Sequence, residues 1–153
     1  MKNKLIILVG IPCSSKTTWS KEYLKENSNC IRINRDDLRI MLKDKGFVDK
    51  NIESLISTVQ ATIVQQAFLD KIDVIIDATN CKLKYLQSWI DNFDHTFDIK
   101  VKLFEIDKGE AYSRNAKRYQ DGVQSLVPVD VIDSMYNNLQ ELKQNFNFEE
   151  YKL

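Results

Sequence analysis

The chain has 153 residues, of which 43% are hydrophobic and 29% are charged, the composition of a folded globular protein about one domain long. Its 22 basic and 22 acidic residues leave a formal net charge of zero, which excludes a strong overall attraction to nucleic acid or to an anionic membrane surface. The apolar run at residues 5–9 is too short for a signal sequence or a membrane span, and the three widely spaced cysteines form no CxxC pair, which argues against a zinc site and a disulfide framework.

Strands and helices alternate in the predicted element order. Short continuous apolar runs predict buried strands, and apolar residues that recur every three or four positions predict helices. In chain order, these patterns give a strand over 4–9, a helix over 17–25, a strand over 30–33, helices over 35–43 and 51–70, a strand over 72–76, a helix over 82–92, a strand over 99–106, and helices over 109–119 and 129–145. The helix over 35–43 carries Leu38, Met41 and Leu42 on one side, and the helix over 51–70 is expected to bury a stripe of Ile52, Leu55, Ile56, Val59, Ile63 and Ala67.

This alternation predicts an α/β fold in a single domain over residues 1–153. Crossover helices join parallel strands, so we expect a parallel β-sheet with helices on both faces. Ligands bind such sheets beyond the carboxyl ends of the strands, which makes those ends the places to search for a site. The cysteine pattern also fits a reducing environment, so we expect a cytoplasmic protein that acts away from membranes.

The turn after the first strand matches a phosphate-binding loop. The sequence Gly10-Ile-Pro-Cys-Ser-Ser-Lys-Thr follows the pattern G-x-x-x-x-G-K-[ST] except that Ser15 replaces the second glycine. In such loops backbone amides and a helix N-terminus bind phosphates, the lysine reaches the terminal phosphates, and the hydroxyl after it ligates Mg²⁺. We therefore predict that Thr17 ligates Mg²⁺ and that ATP is bound by Gly10, Cys13, Ser14, Ser15, Lys16, Thr17 and Thr18.

Ser15 keeps two other interpretations open at this loop. If its position requires a left-handed backbone, a residue other than glycine costs about 1–2 kcal/mol there. Such a cost could weaken nucleotide binding by about tenfold. The loop could then belong to a degenerate nucleotide-binding module without turnover, or be an ordinary connection between a strand and a helix.

Two adjacent carboxylates begin the helix over 35–43, where the second strand ends. Asn34 is a good N-cap, Asp37 can return a hydrogen bond to it, and both aspartates gain from the helix dipole. Asp36 lies three residues before Arg39, on a face turned away from the apolar side chains. The pair could therefore bind a hydroxyl-bearing substrate, with Asp36 accepting the hydroxyl proton and Arg39 holding a neighbouring phosphate.

The third strand also ends in polar residues. Asp77 follows an apolar run and is placed like an acid that orients Mg²⁺ through water. Thr79 and Asn80 could cap the next helix. Alternatively, Asp77, Thr79 and Asn80 form the wall of a substrate-binding site that faces Asp36 and Arg39.

A cationic helix face precedes a glycine-bearing stretch near residue 120. Arg114 and Arg118 lie four residues apart, with Lys117 beside them, and such a face is most often simply solvated. The stretch over 119–126 is polar and contains Gly122, which is typical of a mobile lid.

Three segments together resemble the kinase half of the phage polynucleotide 5′-kinase/3′-phosphatase family. They are the phosphate loop over 10–18 with Trp19 after it, the run 33–39 (INRDDLR) and the run 127–136 (VPVDVIDSMY). They occur in the same order and span essentially the whole chain. The family's acid-Thr-Asn segment aligns its acid with Asp77 or with the next position, Ala78. No Asp-x-Asp-x-Thr segment of the phosphatase half occurs in the sequence.

The resemblance implies a P-loop kinase fold with an arginine-bearing helical lid. It implies an ATP-dependent, Mg²⁺-assisted polynucleotide 5′-hydroxyl kinase, whose partner is the 5′-OH end of DNA or RNA. In that family the residue matching Asp36 is the general base and the one matching Arg39 holds the adjacent substrate phosphate. Arg118 would act with Lys16 on the transferred phosphoryl group, and Arg114 would support the nucleotide phosphates. Members of the family form oligomers, so the resemblance also implies a homo-oligomer.

A second kind of enzyme uses the same scaffold. Kinases of small hydroxylated molecules or of nucleoside monophosphates need the same phosphate loop and the same neutralising arginines. The sequence leaves this alternative open beside the polynucleotide kinase.

Overall fold

Four strands form one parallel sheet in the computed structural model, which describes residues 1–43 and 49–153. They are β1 (Lys4–Val9), β2 (Cys30–Asn34), β3 (Asp73–Asp77) and β4 (Asp98–Leu103). Their order across the sheet is β2-β3-β1-β4, and each neighbouring pair runs parallel. The predicted α/β fold is therefore confirmed, although β4 ends at Leu103 rather than at residue 106.

Helices connect these strands in the predicted order. They are α1 (Lys16–Glu26), α2 (Arg35–Lys43), α3 (Lys50–Leu69), α4 (Leu83–Phe93), α5 (Lys108–Gln120) and α6 (Val129–Asn145), followed by a 3₁₀ turn, Phe148–Tyr151. Within 1–43 and 49–153, no helix combines the length and the apolar character needed to cross a bilayer.

Strand β1 lies at the centre of the molecule because both of its faces are apolar. Leu5, Ile7 and Val9 belong to the larger core, to which α3, α4, α5 and α6 contribute side chains. Ile6 and Leu8 belong to a smaller core on the opposite face, which is covered by Trp19 and other side chains of α1. An unbroken apolar run is what a strand covered on both faces needs. The helices thus lie on both faces of the sheet, as predicted.

The predicted apolar stripe of α3 is wrong in part. The buried row of this helix is Ile56, Gln60, Val64 and Ala67, whereas Leu55 is 46% exposed. Gln60 tolerates burial because its side-chain oxygen accepts a hydrogen bond from Arg35 Nη1 at 2.7 Å. A buried polar residue whose hydrogen-bond partner is distant in the chain cannot be recognised from apolar spacing, which is why the predicted stripe is misplaced.

Helix α2 also buries less than its pattern predicts. Leu38 packs against the larger core, but Met41 is 70% exposed and α2 has no fully buried residue. The first turn of this helix continues directly from Asn34 at the end of β2, so its polar residues lie at the carboxyl edge of the sheet.

Candidate active site

The phosphate loop joins β1 to α1 at the carboxyl end of the sheet. The backbone N–H of Gly10 donates to Thr79 O at 2.9 Å, which ties the loop to the segment after β3. A Cβ atom at Gly10 would lie 2.7 Å from Ser14 Oγ and 2.9 Å from Phe104 O, distances that side chains do not tolerate. Glycine is therefore required at this position by space, as the motif predicts.

Two residues of the loop adopt the left-handed conformation without being glycine. Cys13 has φ 65°, and Ser15 has φ 73° and ψ 16°. The left-handed backbone at Ser15, which is the condition for the predicted energetic cost, is thus present. Each such residue costs about 1–2 kcal/mol relative to glycine.

Lys16 is buried and turned back onto its own loop. Its ammonium donates to Gly10 O at 2.9 Å, to Ile11 O at 2.7 Å and to Ser14 Oγ at 3.2 Å, and the residue is 8% exposed. Burial lowers the pKa of Lys16 to about 8, and the positive charge of Arg118 acts in the same direction. The amine therefore sits in a place where a polyanion would stabilise its charged form.

We expect the affinity for MgATP to fall as the pH rises above about 8. Below that pH the Lys16 amine is already protonated, whereas above it the amine must take up a proton before it can pair with phosphates. The apparent Kd should rise by up to about tenfold per pH unit. Calorimetry in buffers of different ionisation enthalpy would measure both the Kd and the proton uptake.

Lys16→Met provides the control for this prediction. The variant lacks the titrating amine, so its residual affinity should stay constant over the same interval. A parent Kd that does not change between about pH 7 and about pH 9.5 would contradict the prediction that the protonated Lys16 amine pairs with the phosphates.

Thr17 and Asp77 form the floor of the site. Thr17 Oγ1 donates to Asp77 Oδ2 at 2.9 Å, and the Asp77 residue is 1% exposed. The same oxygen accepts from Arg32 Nε at 2.7 Å. Asp77 is thus directed at the phosphate loop, and its burial separates it from any acceptor that approaches from solvent.

Arg32 joins this floor to α2 and was missed by the sequence analysis. Its Nε binds Asp77, while its Nη1 lies 2.7 Å from Asp37 Oδ2. Asn34 caps α2 as predicted, since its Oδ1 accepts from Asp37 N at 2.9 Å. The predicted return bond from the Asp37 carboxylate to the cap is wrong, because that carboxylate binds the charged Arg32, which makes a stronger hydrogen bond than a neutral amide.

Asp36 and Arg39 are brought together on the first turns of α2. Asp36 Oδ1 lies 2.5 Å from Arg39 Nη1, and the Asp36 side chain is 80% exposed. Arg39 is held on its other side by Glu53 of α3, with Nε–Oε1 at 2.6 Å and Nη2–Oε2 at 3.1 Å. The geometry leaves Asp36 open to solvent while its partner arginine is fixed.

Glu53 is the second residue that sequence reasoning did not identify. It also accepts from Arg35 Nη2 at 2.6 Å, so one carboxylate binds two guanidinium groups. The hydrogen bonds from Arg39 and then Arg35 lower the pKa of Glu53 to about 2. Glu53 therefore stays ionised at all physiological pH values and orients Arg39 permanently.

Asn80 has a role different from the predicted helix cap. Its side-chain amide donates to Leu8 O at 2.8 Å, the residue is buried, and its φ is 46°. The N-cap position of α4 is Lys82. The cap prediction for Asn80 is thus wrong, because its amide satisfies a carbonyl of β1 that a strand end would otherwise leave unpaired.

Helix α5 and the loop over 121–128 both reach the phosphate loop, and together they are called the lid segment. Arg114 Nη1 donates to Cys13 O at 3.2 Å and to Ser15 Oγ at 3.1 Å. The loop over 121–128 is held to α5 by Asn115, whose side chain makes two hydrogen bonds to the backbone of Val127. Arg114 thus ties α5 to the phosphate loop, and Asn115 ties the loop over 121–128 to α5.

Arg118 lies one turn after Arg114 on the same helix. It is half-buried, and its charge is close enough to Lys16 to lower the pKa of that amine. Among the side chains that the structure describes, it has no ion-pair partner. A guanidinium in this state is available to an anionic ligand.

The sequence model of the family described as "AAA domain" matches residues 5–142. The chain belongs to this family. Among solved structures, this AAA-domain chain is similar to a chain of the Pnkp1/Rnl/Hen1 RNA repair complex, with 32% identity and a TM-score of 0.87 over 96% of its own length. The match covers 47% of that larger chain, so the AAA-domain chain spans about half its length.

More distant structures share the fold of this AAA-domain chain. A putative kinase from Chloroflexus aurantiacus has 13% identity and a TM-score of 0.71, with 96% of this chain and 100% of that chain covered. A gluconokinase from Sinorhizobium meliloti has 12% identity and a TM-score of 0.59, with 92% and 77% covered. The four-stranded parallel sheet with its flanking helices is therefore the P-loop kinase fold that the sequence predicted.

Proposed function

We propose that the chain is an ATP-dependent polynucleotide 5′-hydroxyl kinase, formed by residues 1–153 as one kinase domain. The observation that carries this proposal is the pairing of the exposed Asp36 with the fixed Arg39 on the same sheet edge as the phosphate loop. One carboxylate and one guanidinium side by side suit an acceptor that presents a hydroxyl next to a phosphate.

The phosphate loop is the proposed donor site. The backbone and side chains of Gly10, Cys13, Ser14, Ser15, Lys16, Thr17 and Thr18 would surround the ATP phosphates. Lys16 would exchange its three neutral acceptors for phosphate oxygens, which is favourable because those oxygens are charged. Arg114, already bonded to the loop, would add a second cation.

The residues present fit a magnesium ion at Thr17. Because Thr17 Oγ1 donates its proton to Asp77, its lone pairs remain free for a hard cation that prefers oxygen ligands. When bound, Mg²⁺ would neutralise charge on the donor phosphates. We assign Asp77 to this donor side as the group that orients Thr17, rather than to substrate binding.

The acceptor site is proposed to lie over the first turn of α2. The 5′-oxygen would attack the γ-phosphorus while Asp36 takes its proton, and the bond from phosphorus to the β,γ-bridging oxygen would break to release ADP. Arg39 would hold the neighbouring substrate phosphate, and Arg118 would neutralise charge on the transferred group. Thr79 follows the end of β3, the strand next to β2, and would form the wall of this site.

Similarity to a chain of an RNA repair complex supports a nucleic acid as the acceptor. The gluconokinase shares the fold alone, so a small hydroxylated acceptor remains the competing outcome rather than a second proposal. A net charge of zero is compatible with end recognition, which needs few phosphate contacts.

An acceptor panel with ATP labelled at the γ-phosphate tests the proposed function. We expect label transfer to 5′-OH oligonucleotides of RNA or DNA, with a shallow salt dependence, and no transfer to the same oligonucleotides carrying a 5′-phosphate. Transfer only to nucleosides, nucleoside monophosphates or sugar acids would identify a small-molecule kinase instead. Binding of MgATP without transfer to any acceptor would identify a module without turnover.

A further inference from the structure

The lid segment contacts the phosphate loop at its two left-handed residues. Arg114 Nη1 donates both to Cys13 O at 3.2 Å and to Ser15 Oγ at 3.1 Å. Gln124, in the loop after α5, lies with its side-chain nitrogen 3.9 Å from Cys13 Sγ. The two residues of the loop that glycine would suit better are therefore the two that the lid segment contacts.

The hydroxyl of Ser15 has no role in capping the helix that follows it. Ser15 stands at the N-cap position of α1, where a serine side chain would normally bind a free backbone N–H, yet it makes no such bond. Its hydrogen-bond partner is Arg114, 99 residues later in the chain. The strained backbone at Ser15 thus places the hydroxyl towards the lid segment rather than towards α1.

The guanidinium of Arg114 is held from two sides. Its Nε lies 2.9 Å from Glu110 Oε1, one turn earlier on α5, and its Nη1 reaches the loop. A glycine at position 15 would leave only the carbonyl of Cys13 as its partner in the loop. Removing one of two acceptors would widen the range of rotamers open to a long and flexible side chain.

We propose that Ser15 is a positioning residue, which holds Arg114 over the phosphate loop so that the guanidinium is in place before the nucleotide binds. The proposal rests on the proposed function, since it is the donor phosphates that Arg114 would meet. Fixing a cation in advance lowers the ordering cost at the moment of reaction. Serine at position 15 is thus costlier to the backbone than glycine, but its hydroxyl holds Arg114 in position for the phosphates.

Two substitutions at Ser15 separate the hydroxyl from the backbone strain. Ser15→Ala removes the hydroxyl and keeps the Cβ atom that makes the left-handed conformation costly, whereas Ser15→Gly removes both. We expect kcat to fall by about tenfold in both variants, because a hydrogen bond to a charged group is lost. Ser15→Gly should also unfold at a higher temperature than Ser15→Ala, because it relieves the backbone strain that Ser15→Ala keeps.

A double-mutant cycle with Arg114→Gln tests whether the hydroxyl acts through the arginine. We expect Ser15→Ala to add no further loss of kcat in the Arg114→Gln background. Lys117→Gln is the matched control, because it removes one positive charge from α5 at a residue that pairs with Asp121 and should keep the parent kcat. Additive losses from Ser15→Ala and Arg114→Gln, or a parent kcat in Ser15→Ala, would overturn the proposal.

The same cycle measured by thermal unfolding without nucleotide distinguishes this proposal from the proposed function. The contact exists in the ligand-free protein, so the two substitutions should shift the unfolding midpoint by less together than the sum of their separate shifts. If the parent neither binds MgATP nor transfers phosphate, the proposed function fails, and the coupling of the midpoints still decides the contact. Independent midpoint shifts would refute the contact itself.

Discussion

Arg118→Gln is expected to slow phosphoryl transfer by about 10³–10⁵-fold while MgATP affinity changes little. Charge develops on the transferred group during the reaction, and a guanidinium that meets it there stabilises the transition state more than the bound substrate. Arg118 suits this role because it lies near Lys16 and has no ion-pair partner among the residues that the structure describes. Single-turnover rates with saturating MgATP, together with calorimetric Kd values, would measure both quantities.

Lys117→Gln is the matched control for this substitution. Lys117 precedes Arg118 on α5, carries the same charge and pairs with Asp121 at 3.1 Å, so its loss should leave the transfer rate near that of the parent. A parent rate in Arg118→Gln would show that another group neutralises the transferred phosphate. Equal losses in both variants would point to the general charge of α5 rather than to Arg118.

Asp36→Asn is expected to lower the transfer rate by about 10²–10⁴-fold without weakening MgATP binding. The amide keeps the size of the side chain and a partner for Arg39, but it cannot accept the proton of the attacking hydroxyl. Because Asp36 is exposed and lies on α2, outside the phosphate loop, its substitution should leave the donor site intact. Rates with a 5′-OH oligonucleotide and calorimetry with MgATP test the two halves of this expectation.

Asp130→Asn offers a comparison of the same chemical change elsewhere. Asp130 is an exposed aspartate in the first turn of α6, so its loss removes a similar interaction with a helix dipole. We expect this variant to transfer phosphate at the parent rate. If Asp36→Asn does so as well, the general base is a different group.

Local patterns predicted those parts of the molecule that depend on neighbouring residues. The phosphate loop, the alternation of strands and helices, and the pairing of Asp36 with Arg39 all follow from spacings of a few residues. The sequence named a left-handed backbone only as the condition for a cost at Ser15, and the structure meets that condition. These features are encoded within a single turn or a single strand end.

Residues whose partners are distant in the chain were not predictable in this way. Glu53 binds Arg39 across 14 positions and Arg32 binds Asp77 across 45, so no spacing within one helix or strand reveals either pair. Arg32 did leave one signal, a cation between the apolar residues Ile31 and Ile33 of β2, which must find a carboxylate when the strand is covered. Buried Gln60 gave no such signal and displaced the predicted stripe of α3.

Arg32 also fixes the distance between the donor side and the acceptor side of the proposed site. It bonds Asp77, which holds Thr17, and it bonds Asp37 in the first turn of α2, so side chains alone link the two ends of the proposed reaction path. The gap between a donor seated at Thr17 and a proton acceptor on α2 is therefore set before either substrate arrives. An acceptor whose hydroxyl lies too far from the phosphate proposed to bind Arg39 could not bridge this distance. Such acceptors would be excluded by their length, before their chemical reactivity could matter.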